Sequence, residues 1–292
     1  NHRQRMSTPP QSTLESALRQ TRAETGLPLN ELRILMGCVT GLDRVGLLTK
    51  GEQPLPPDQI TAFKTLASKR QQGHPIAYLV EHKEFYSRSF FVDPRVLIPR
   101  PETEELVEHA LGFLQSKSTE NLLTRVLDIG CGSGAIAISL ALENPILEVT
   151  ATDISVDALW VAQFNANELG AKNVRFIQSD LFSGLLNQTP ALAFDLICSN
   201  PPYIEQGDKH LAQGDLRFEP AIALTDGGDG LHFYREIARQ SPTLLRAGGG
   251  VLVEHGYNQQ EAVLAIFSQP PYTQVQGLPD LAGTPRFVFA HI

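Results

Sequence analysis

Asp128-Ile129-Gly130-Cys131-Gly132-Ser133-Gly134 closes an apolar run that begins at Arg125 and opens a helical pattern that continues to Leu142. Glycines let the backbone approach a bound molecule closely, and the first turn of a helix presents unpaired N–H groups to it. The spacing Gly130-x-Gly132-x-x-Ala135 also satisfies the dinucleotide-binding pattern. The stretch therefore predicts a strand-to-helix turn of a Rossmann-like α/β fold that binds a nucleoside; a tight turn without a ligand is the alternative.

Strand and helix patterns alternate around this loop. Beyond the first strand, 125–129, apolar runs predict strands at 147–152, 174–178, 194–199, 250–254 and 286–290. Helical patterns lie at 104–113, 135–142, 158–169, 230–241 and 259–267. This alternation favours a mostly parallel sheet with helices on both faces, which we assign to a catalytic domain over 101–292.

Acidic residues follow the next two predicted strands. Asp153, with Ile154 beside it, ends the second strand, where a carboxylate could accept both hydroxyls of a ribose. Asp180 follows the third strand, where it could meet an adenine amino group while Leu181 covers the ring. The alternative for Asp153 is a cap of the turn that follows it, and the alternative for Asp180 is a helix N-cap. A glycine loop and two acids at successive strand ends predict a nucleoside site, which would suit NAD or S-adenosylmethionine.

The fourth strand ends in Asn200-Pro201-Pro202-Tyr203. Ligands collect at the carboxyl ends of strands in open α/β sheets, and two prolines fix the backbone there. The Asn200 side-chain oxygen and a proline carbonyl can both accept hydrogen bonds from one NH2 group, while Tyr203 stacks on the planar group that carries it. Methyl transfer to a planar nitrogen needs such a site and hydride transfer does not, which favours S-adenosylmethionine over NAD.

The N-terminal part of the chain has helical periodicity. Leu14, Ala17 and Leu18 share one face of the first helix, and the pattern continues to about residue 77. We predict a bundle of four or five helices over 6–80. Aromatic residues between 84 and 96 predict a hairpin inside a linker, 81–100.

Composition limits the function classes. The 292 residues are 42% hydrophobic and 19% charged, which is typical of a soluble globular protein. The net charge of −8 argues against a broad surface that tracks phosphates, although a local basic patch stays open. No His, Cys or carboxylate spacing indicates a metal site, and three distant cysteines are expected to be small buried side chains. No segment reads as a membrane span or a signal peptide, so a cytoplasmic location is expected.

The tetrad and the glycine loop resemble those of class I S-adenosylmethionine-dependent methyltransferases. Further segments resemble the PrmC/HemK family of protein glutamine N5-methyltransferases that act on peptide chain release factors. These segments are Gly73-His74-Pro75-Ile76-Ala77-Tyr78-Leu79, Leu97-Ile98-Pro99-Arg100-Pro101-Glu102-Thr103-Glu104, Arg217-Phe218-Glu219-Pro220, Glu254-His255-Gly256 and Asp280-Leu281-Ala282-Gly283-Thr284-Pro285-Arg286. The match covers roughly residues 70 to 290, and the N-terminal helices fit by position and type.

The resemblance implies a seven-stranded sheet, S-adenosylmethionine as methyl donor, and a release factor glutamine in a GGQ-type loop as acceptor, with the N-terminal bundle binding the partner. It assigns catalysis to Asn200, Pro201, Pro202 and Tyr203, and cofactor binding to Gly130, Cys131, Gly132, Ser133, Gly134, Asp153, Ile154, Asp180, Leu181 and Asn200. Arg100, Glu102, Thr103 and Glu219 would line the pocket. Alternatively, Thr103 caps a helix that starts there, and Glu219 only orders a loop. The competing function is N6-methylation of adenine in nucleic acid; membrane contact and nucleic-acid binding are not expected.

Overall fold

The computed structural model describes residues 10–117, 123–188 and 192–292. The described residues up to Glu81 form one compact unit and those from His82 onward form another. The predicted bundle began at residue 6, and residues 6–9 lie outside the described residues. None of the helices in the described parts of the chain is long and apolar enough to cross a membrane.

The first unit consists of helices, as the periodicity predicts. They are α1 (Leu14–Thr25), α2 (Leu29–Thr40), α3 (Arg44–Thr49), α4 (Pro57–Gln71) and α5 (Ile76–Val80). Helix α1 begins at a capping box formed by Thr13 and Ser16, and it ends at Gly26 in the left-handed conformation. The predicted apolar faces pack together in one core, in which Leu14, Leu35 and Phe63 are fully buried.

The second unit opens with the antiparallel hairpin of β1 (His82–Phe85) and β2 (Arg88–Phe91). The paired residues start and end earlier than the predicted span 84–96, because the chain turns at Tyr86 and Ser87, both with positive φ. Phe85 and Phe90 are buried and meet edge to face at 6.0 Å between ring centroids. The hairpin is therefore anchored in the core of the second unit.

Seven strands form the main sheet in the order β5-β4-β3-β6-β7-β9-β8. Their bounds are β3 Arg125–Ile129, β4 Glu148–Asp153, β5 Val174–Gln178, β6 Phe194–Ser199, β7 Leu245–Glu254, β8 Gln274–Pro279 and β9 Pro285–His291. All pairings are parallel except those of β9, which runs antiparallel to both neighbours. The mostly parallel sheet of the prediction is confirmed.

Helices cover both faces of this sheet. They are α6 (Thr103–Lys117), α7 (Ala135–Glu143), α8 (Val156–Leu169), α9 (Ala221–Leu224), α10 (His232–Gln240) and α11 (Gln260–Phe267). Successive residues of one strand point to opposite faces of the sheet and pack in different cores. Leu196 of β6 packs in the cluster that includes α6 and α7, whereas Ile197 packs with α10 and α11. The central strands are thus buried on both sides, which explains their continuous apolar sequences.

The strand order brings three strand ends together. Ile129 at the end of β3 is in register with Thr152 of β4 on one side and with Ser199 of β6 on the other. The loops that follow these residues therefore start from neighbouring positions at one edge of the sheet. This is the point where the strand order reverses, the usual place for a ligand in open α/β sheets.

Candidate active site

The glycine loop is held against the end of β4 by its own backbone. The Cys131 N–H donates to the carbonyl of Thr152 at 2.8 Å, and the Gly132 N–H donates to Asp153 Oδ2 at 2.9 Å. Gly134 has φ of +87° at the start of α7, and a Cβ there would lie 2.6 Å from Ile138 Cδ1. The left-handed conformation therefore favours glycine at this position, and a Cβ would also displace the end of the Ile138 side chain.

Asp153 is fixed by two backbone donors. Besides the Gly132 bond, its Oδ1 accepts from the Ser155 N–H at 2.9 Å. Ser155 caps helix α8 by accepting from Ala158 N at 3.1 Å, whereas Asp153 Oδ1 caps the turn that precedes this helix. Burial raises the pKa of the Asp153 carboxyl, and the backbone hydrogen bonds oppose this rise. Each carboxylate oxygen has a second lone pair with which it can accept from a ligand.

Asp180 and Leu181 follow β5 in a tight turn. Leu181 has φ of +51°, and its carbonyl accepts from the Ser179 hydroxyl at 2.6 Å. Residues 181–187 form turns and no helix, so Asp180 does not cap one. Its carboxylate is exposed, which leaves it open to a ligand.

Asn200 follows the end of β6, which is tied to β3 because the Ser199 hydroxyl donates to the Ile129 carbonyl at 2.8 Å. Asn200 Oδ1 is buried and has no hydrogen-bond partner in the described parts of the chain. A buried acceptor left in this way costs about 1–3 kcal/mol. Rotation about the last side-chain torsion exchanges the oxygen with the NH2 group. The amide is thus able to turn its oxygen toward an incoming donor.

A cavity at this edge of the sheet brings most of the predicted site residues together. Of these residues, it is lined by Gly130, Gly132, Asp153, Ile154, Asp180, Leu181, Asn200, Pro201 and Pro202. Cys131, Ser133 and Gly134 belong to the same loop but do not line the cavity, and Tyr203 lines a neighbouring cavity. Burial raises the pKa of the Tyr203 phenol to about 12, and the nearby carboxylate of Glu254 adds to the effect.

Other cavity walls were not predicted from the sequence. Val96 and Leu97 come from the segment after the hairpin, and Ile222 and Ala223 come from the short helix α9. These residues carry no polar group that marks a site. The one available signal was position, because Leu97 opens the segment around Arg100 that the sequence did indicate, and the other three lie beside the segments around Arg100 and Glu219.

Arg100 and Glu219 connect the two segments that carry these cavity walls, without lining the cavity themselves. The Glu219 side chain is fully buried, and its Oε1 lies 2.5 Å from Arg100 Nη2. Its Oε2 accepts from the Ile98 N–H at 3.0 Å, and Arg100 Nη1 donates to the Ile98 carbonyl at 2.9 Å. One carboxylate therefore connects the corner at 98–100 with the loop before α9, so these two residues support the pocket and do not line the cavity.

Thr103 and Glu102 also lie outside the lining of the cavity. Thr103 is the first residue of α6, and its hydroxyl donates to Glu254 Oε2 at 2.7 Å. It therefore binds β7, contrary to the alternative that it caps its own helix. Burial raises the pKa of the Glu254 carboxyl to about 7, with the Thr103 hydrogen bond acting against the rise and the charge of Glu102 adding to it.

Neither metal ligation nor thiol chemistry is indicated. Within residues 10–117, 123–188 and 192–292, no group of three or more His, Cys, Asp or Glu side chains could hold a metal ion. Cys131 and Cys198 are buried as expected, and burial raises the pKa of both thiols. The expectation was wrong for Cys38, which is exposed on α2.

Known families match most of the chain. The PrmC N-terminal domain matches residues 11–80, and the Methyltransferase small domain matches residues 105–231. The release factor glutamine methyltransferase of Bordetella pertussis is 47% identical over 92% of this chain and 97% of its own length. The protein of that name from Neisseria gonorrhoeae is 46% identical over 89% and 92% of the two chains, and that from Escherichia coli is 42% identical over 94% and 96%.

Solved structures share the fold at low identity. A methyltransferase from Pyrococcus furiosus superposes with a TM-score of 0.52 at 19% identity, over 77% of this chain and 96% of that one. The human methyltransferase 10 domain containing protein gives 0.51 at 19% identity, over 78% and 96%. These likenesses support the methyltransferase fold of the sheet and helices described above.

Proposed function

The chain belongs to the release factor glutamine methyltransferase family, and we propose that the tetrad at the end of β6 is the place where the substrate glutamine is methylated. The enzyme transfers a methyl group from S-adenosylmethionine to the side-chain nitrogen of a glutamine in a release factor. One observation carries the assignment of the site: Asn200 lines the cavity that also contains the glycine loop, and its amide oxygen lacks a partner among the described residues.

We assign the cofactor to the half of the cavity that is lined by the loops following β3, β4 and β5. When bound, S-adenosylmethionine supplies an electrophilic methyl group on a positively charged sulfur. Asp153 has lone pairs left for the ribose hydroxyls, and exposed Asp180 can accept from the adenine amino group. We assign Leu181 to cover the adenine ring by apolar contact.

The tetrad would bind the carboxamide. An amide nitrogen is a poor nucleophile because its lone pair is delocalised into the carbonyl. If the Asn200 oxygen and the Pro201 carbonyl accept its two N–H bonds, electron density on nitrogen rises and the group is held in one orientation. We assign Tyr203 to pack against the amide plane, although it lines the neighbouring cavity.

Electrons and protons balance without a strong base. Nitrogen forms its bond to the methyl carbon, the electron pair of the broken carbon–sulfur bond stays on sulfur, and the surplus N–H proton leaves to solvent. Alkylated nitrogen is strongly acidic, so this loss needs no residue with a matched pKa.

The N-terminal helices are proposed to bind a second part of the release factor, and the enzyme is proposed to act in the cytoplasm without binding nucleic acid. The net charge of −8 supports the last point, because duplex binding depends on clustered basic residues.

Labelled S-adenosylmethionine tests the function directly. The enzyme is incubated with a release factor, with the same factor whose target glutamine is replaced by alanine, or with an oligonucleotide that contains adenine. We expect label on the unmodified factor alone. Label on the oligonucleotide would support adenine methylation instead, and an equal amount of label on the alanine variant would show that another residue of the factor is the acceptor.

A further inference from the structure

The C-terminal residue of the tetrad, Tyr203, is held by a side chain from a distant segment. Pro201 and Pro202 have no N–H group, so the backbone there cannot be fixed by donating hydrogen bonds. The carbonyl of Tyr203 instead accepts from Gln259 Nε2 at 2.9 Å. The two residues are 56 positions apart in the sequence, and Gln259 immediately precedes helix α11.

Gln259 is held in one orientation by three contacts. Its NH2 group also approaches the Gly230 carbonyl at 3.3 Å, and its Oε1 accepts from the Gly256 N–H at 2.8 Å. Turning the amide over would place its oxygen against two carbonyls and its NH2 group against an N–H. The network therefore specifies glutamine in a defined rotamer.

Two glycines leave the space that this amide occupies. A Cβ at Gly230 would lie 2.5 Å from the Tyr203 carbonyl oxygen and 3.0 Å from Gln259 Nε2. A Cβ at Gly256 would lie 3.0 Å from Gln259 Oε1 and 3.4 Å from Tyr203 Cδ2. Gly230 is itself fixed, because its N–H donates to Asp226 Oδ1 at 3.0 Å. The loop around Gly230 and the turn at Gly256 thus meet at Tyr203 through one side chain.

We infer that Gln259 is a positioning residue for methyl transfer, which fixes the Tyr203 carbonyl and through it the tetrad backbone that carries Asn200. This inference rests on the proposed role of the tetrad. Gln259 does not line the cavity around Asn200 and the glycine loop; it lines the neighbouring cavity together with Tyr203. Its loss is therefore expected to change the rate of transfer and to leave cofactor affinity unaltered.

Two substitutions separate positioning from simple support of the turn. Gln259→Met keeps the length of the side chain and removes all three contacts. Gln259→Glu keeps the acceptor for Gly256 but replaces the donor to Tyr203 with an oxygen that faces the Tyr203 and Gly230 carbonyls. Its loss of rate is therefore assigned to positioning only where thermal unfolding shows the same stability as the unchanged enzyme. The matched control is Gln260→Met, because that neighbouring side chain lies against Gly277 of β8. The full-length enzyme is assayed for kcat and KM with a release factor, for S-adenosylmethionine affinity by calorimetry, and for thermal unfolding.

We expect kcat to fall by about thirtyfold to a hundredfold in both Gln259 variants, since small displacements of a reacting group have effects of this size. The Kd for S-adenosylmethionine stays within about twofold of the unchanged enzyme, and Gln260→Met behaves like the unchanged enzyme. A Gln259→Glu variant with an unchanged kcat would overturn the inference, as would a loss of cofactor affinity equal to the loss of rate. If Gln259→Met does not fold, Gln259→Glu decides. Failure of the unchanged enzyme to methylate the release factor would instead refute the proposed function.

Discussion

The two halves of the cavity differ in how their central polar side chain is held. Asp153, on the side of β4, accepts one backbone N–H on each carboxylate oxygen. Asn200, on the side of β6, has a buried amide oxygen with no partner within the described residues. One group is fixed before any ligand arrives, and the other still has a hydrogen bond to gain.

This difference separates the tasks of the two halves. A preorganised carboxylate suits a cofactor that every turnover uses in the same pose. The Asn200 amide suits a substrate amide, because a turn about its last torsion presents an oxygen that can accept one N–H bond of the guest. Substitutions on the two sides should therefore affect different steps.

Asn200→Ala is expected to have the largest effect. Without the side-chain oxygen one of the two N–H acceptors is lost, so kcat should fall about a thousandfold, as for loss of a preorganised transition-state contact. The Kd for S-adenosylmethionine should stay within about threefold, as measured by calorimetry. Asn200→Asp, which presents an oxygen in either rotamer, should retain more activity than the alanine variant. A near-normal rate in Asn200→Ala would reject the assignment.

A pH titration of stability tests the buried carboxyl next to the tetrad. Glu254 has a pKa of about 7 in the folded protein against an ordinary value of 4.5, with burial as the main cause. As pH rises between these values, the unfolded chain loses its proton while the folded carboxyl keeps it, so the free energy of unfolding decreases. The decrease should total about 3 kcal/mol at about 1.4 kcal/mol per pKa unit and level off above pH 7.

Urea unfolding at several pH values measures this slope. In Glu254→Gln the free energy of unfolding should decrease less between pH 4.5 and 7, because the amide has no proton to lose. The variant keeps an acceptor for the Thr103 hydroxyl. Identical slopes in the two proteins would show that Glu254 is ionised in the folded state.

Asp153→Ala should weaken the binding of S-adenosylmethionine without slowing methyl transfer. Loss of hydrogen bonds from two hydroxyls to a carboxylate should raise the Kd for S-adenosylmethionine about thirtyfold. At saturating cofactor, kcat should remain within about threefold of the unchanged enzyme. Asp157→Ala is the control, since it removes an exposed carboxylate from the first turn of α8. A larger fall in kcat than in affinity would contradict the division of tasks.

Leu181→Gly should have the smallest effect. Leu181 has φ of +51°, which glycine adopts without strain, so stability should change by no more than about 1 kcal/mol in either direction. Loss of the apolar contact should raise the Kd for S-adenosylmethionine by about threefold to tenfold. Leu181→Ala loses much of the same contact and keeps the backbone strain. It should therefore bind S-adenosylmethionine about as well as Leu181→Gly does, but be less stable than that variant. Calorimetry and thermal unfolding distinguish the two.

The fold was predictable where strands are buried on both faces. The core strands β3 and β6 consist mainly of buried apolar residues, and such runs are visible in the sequence. The edge strand β8, Gln274–Pro279, was missed because its six residues include two glutamines, a glycine and a proline. The first half of β7, 245–249, was missed as well, since Gly248 and Gly249 do not resemble a strand.

The site was predictable where function depends on neighbouring residues in the chain. The glycine loop and the tetrad are local patterns, so their residues could be named before their surroundings were known. Contacts between distant segments could not: Glu219 meets Arg100 across 119 positions, and Gln259 meets Tyr203 across 56. In both cases packing of the folded chain, and not spacing, creates the pair.

The unpartnered oxygen of Asn200 also bears on when the reaction stops. A primary carboxamide brings two hydrogens to the site, whereas the methylated product has one. The product therefore leaves one of the two acceptors without a donor and brings an added methyl group into the same space. Such a site releases its product in preference to alkylating it again, so each glutamine is expected to receive a single methyl group.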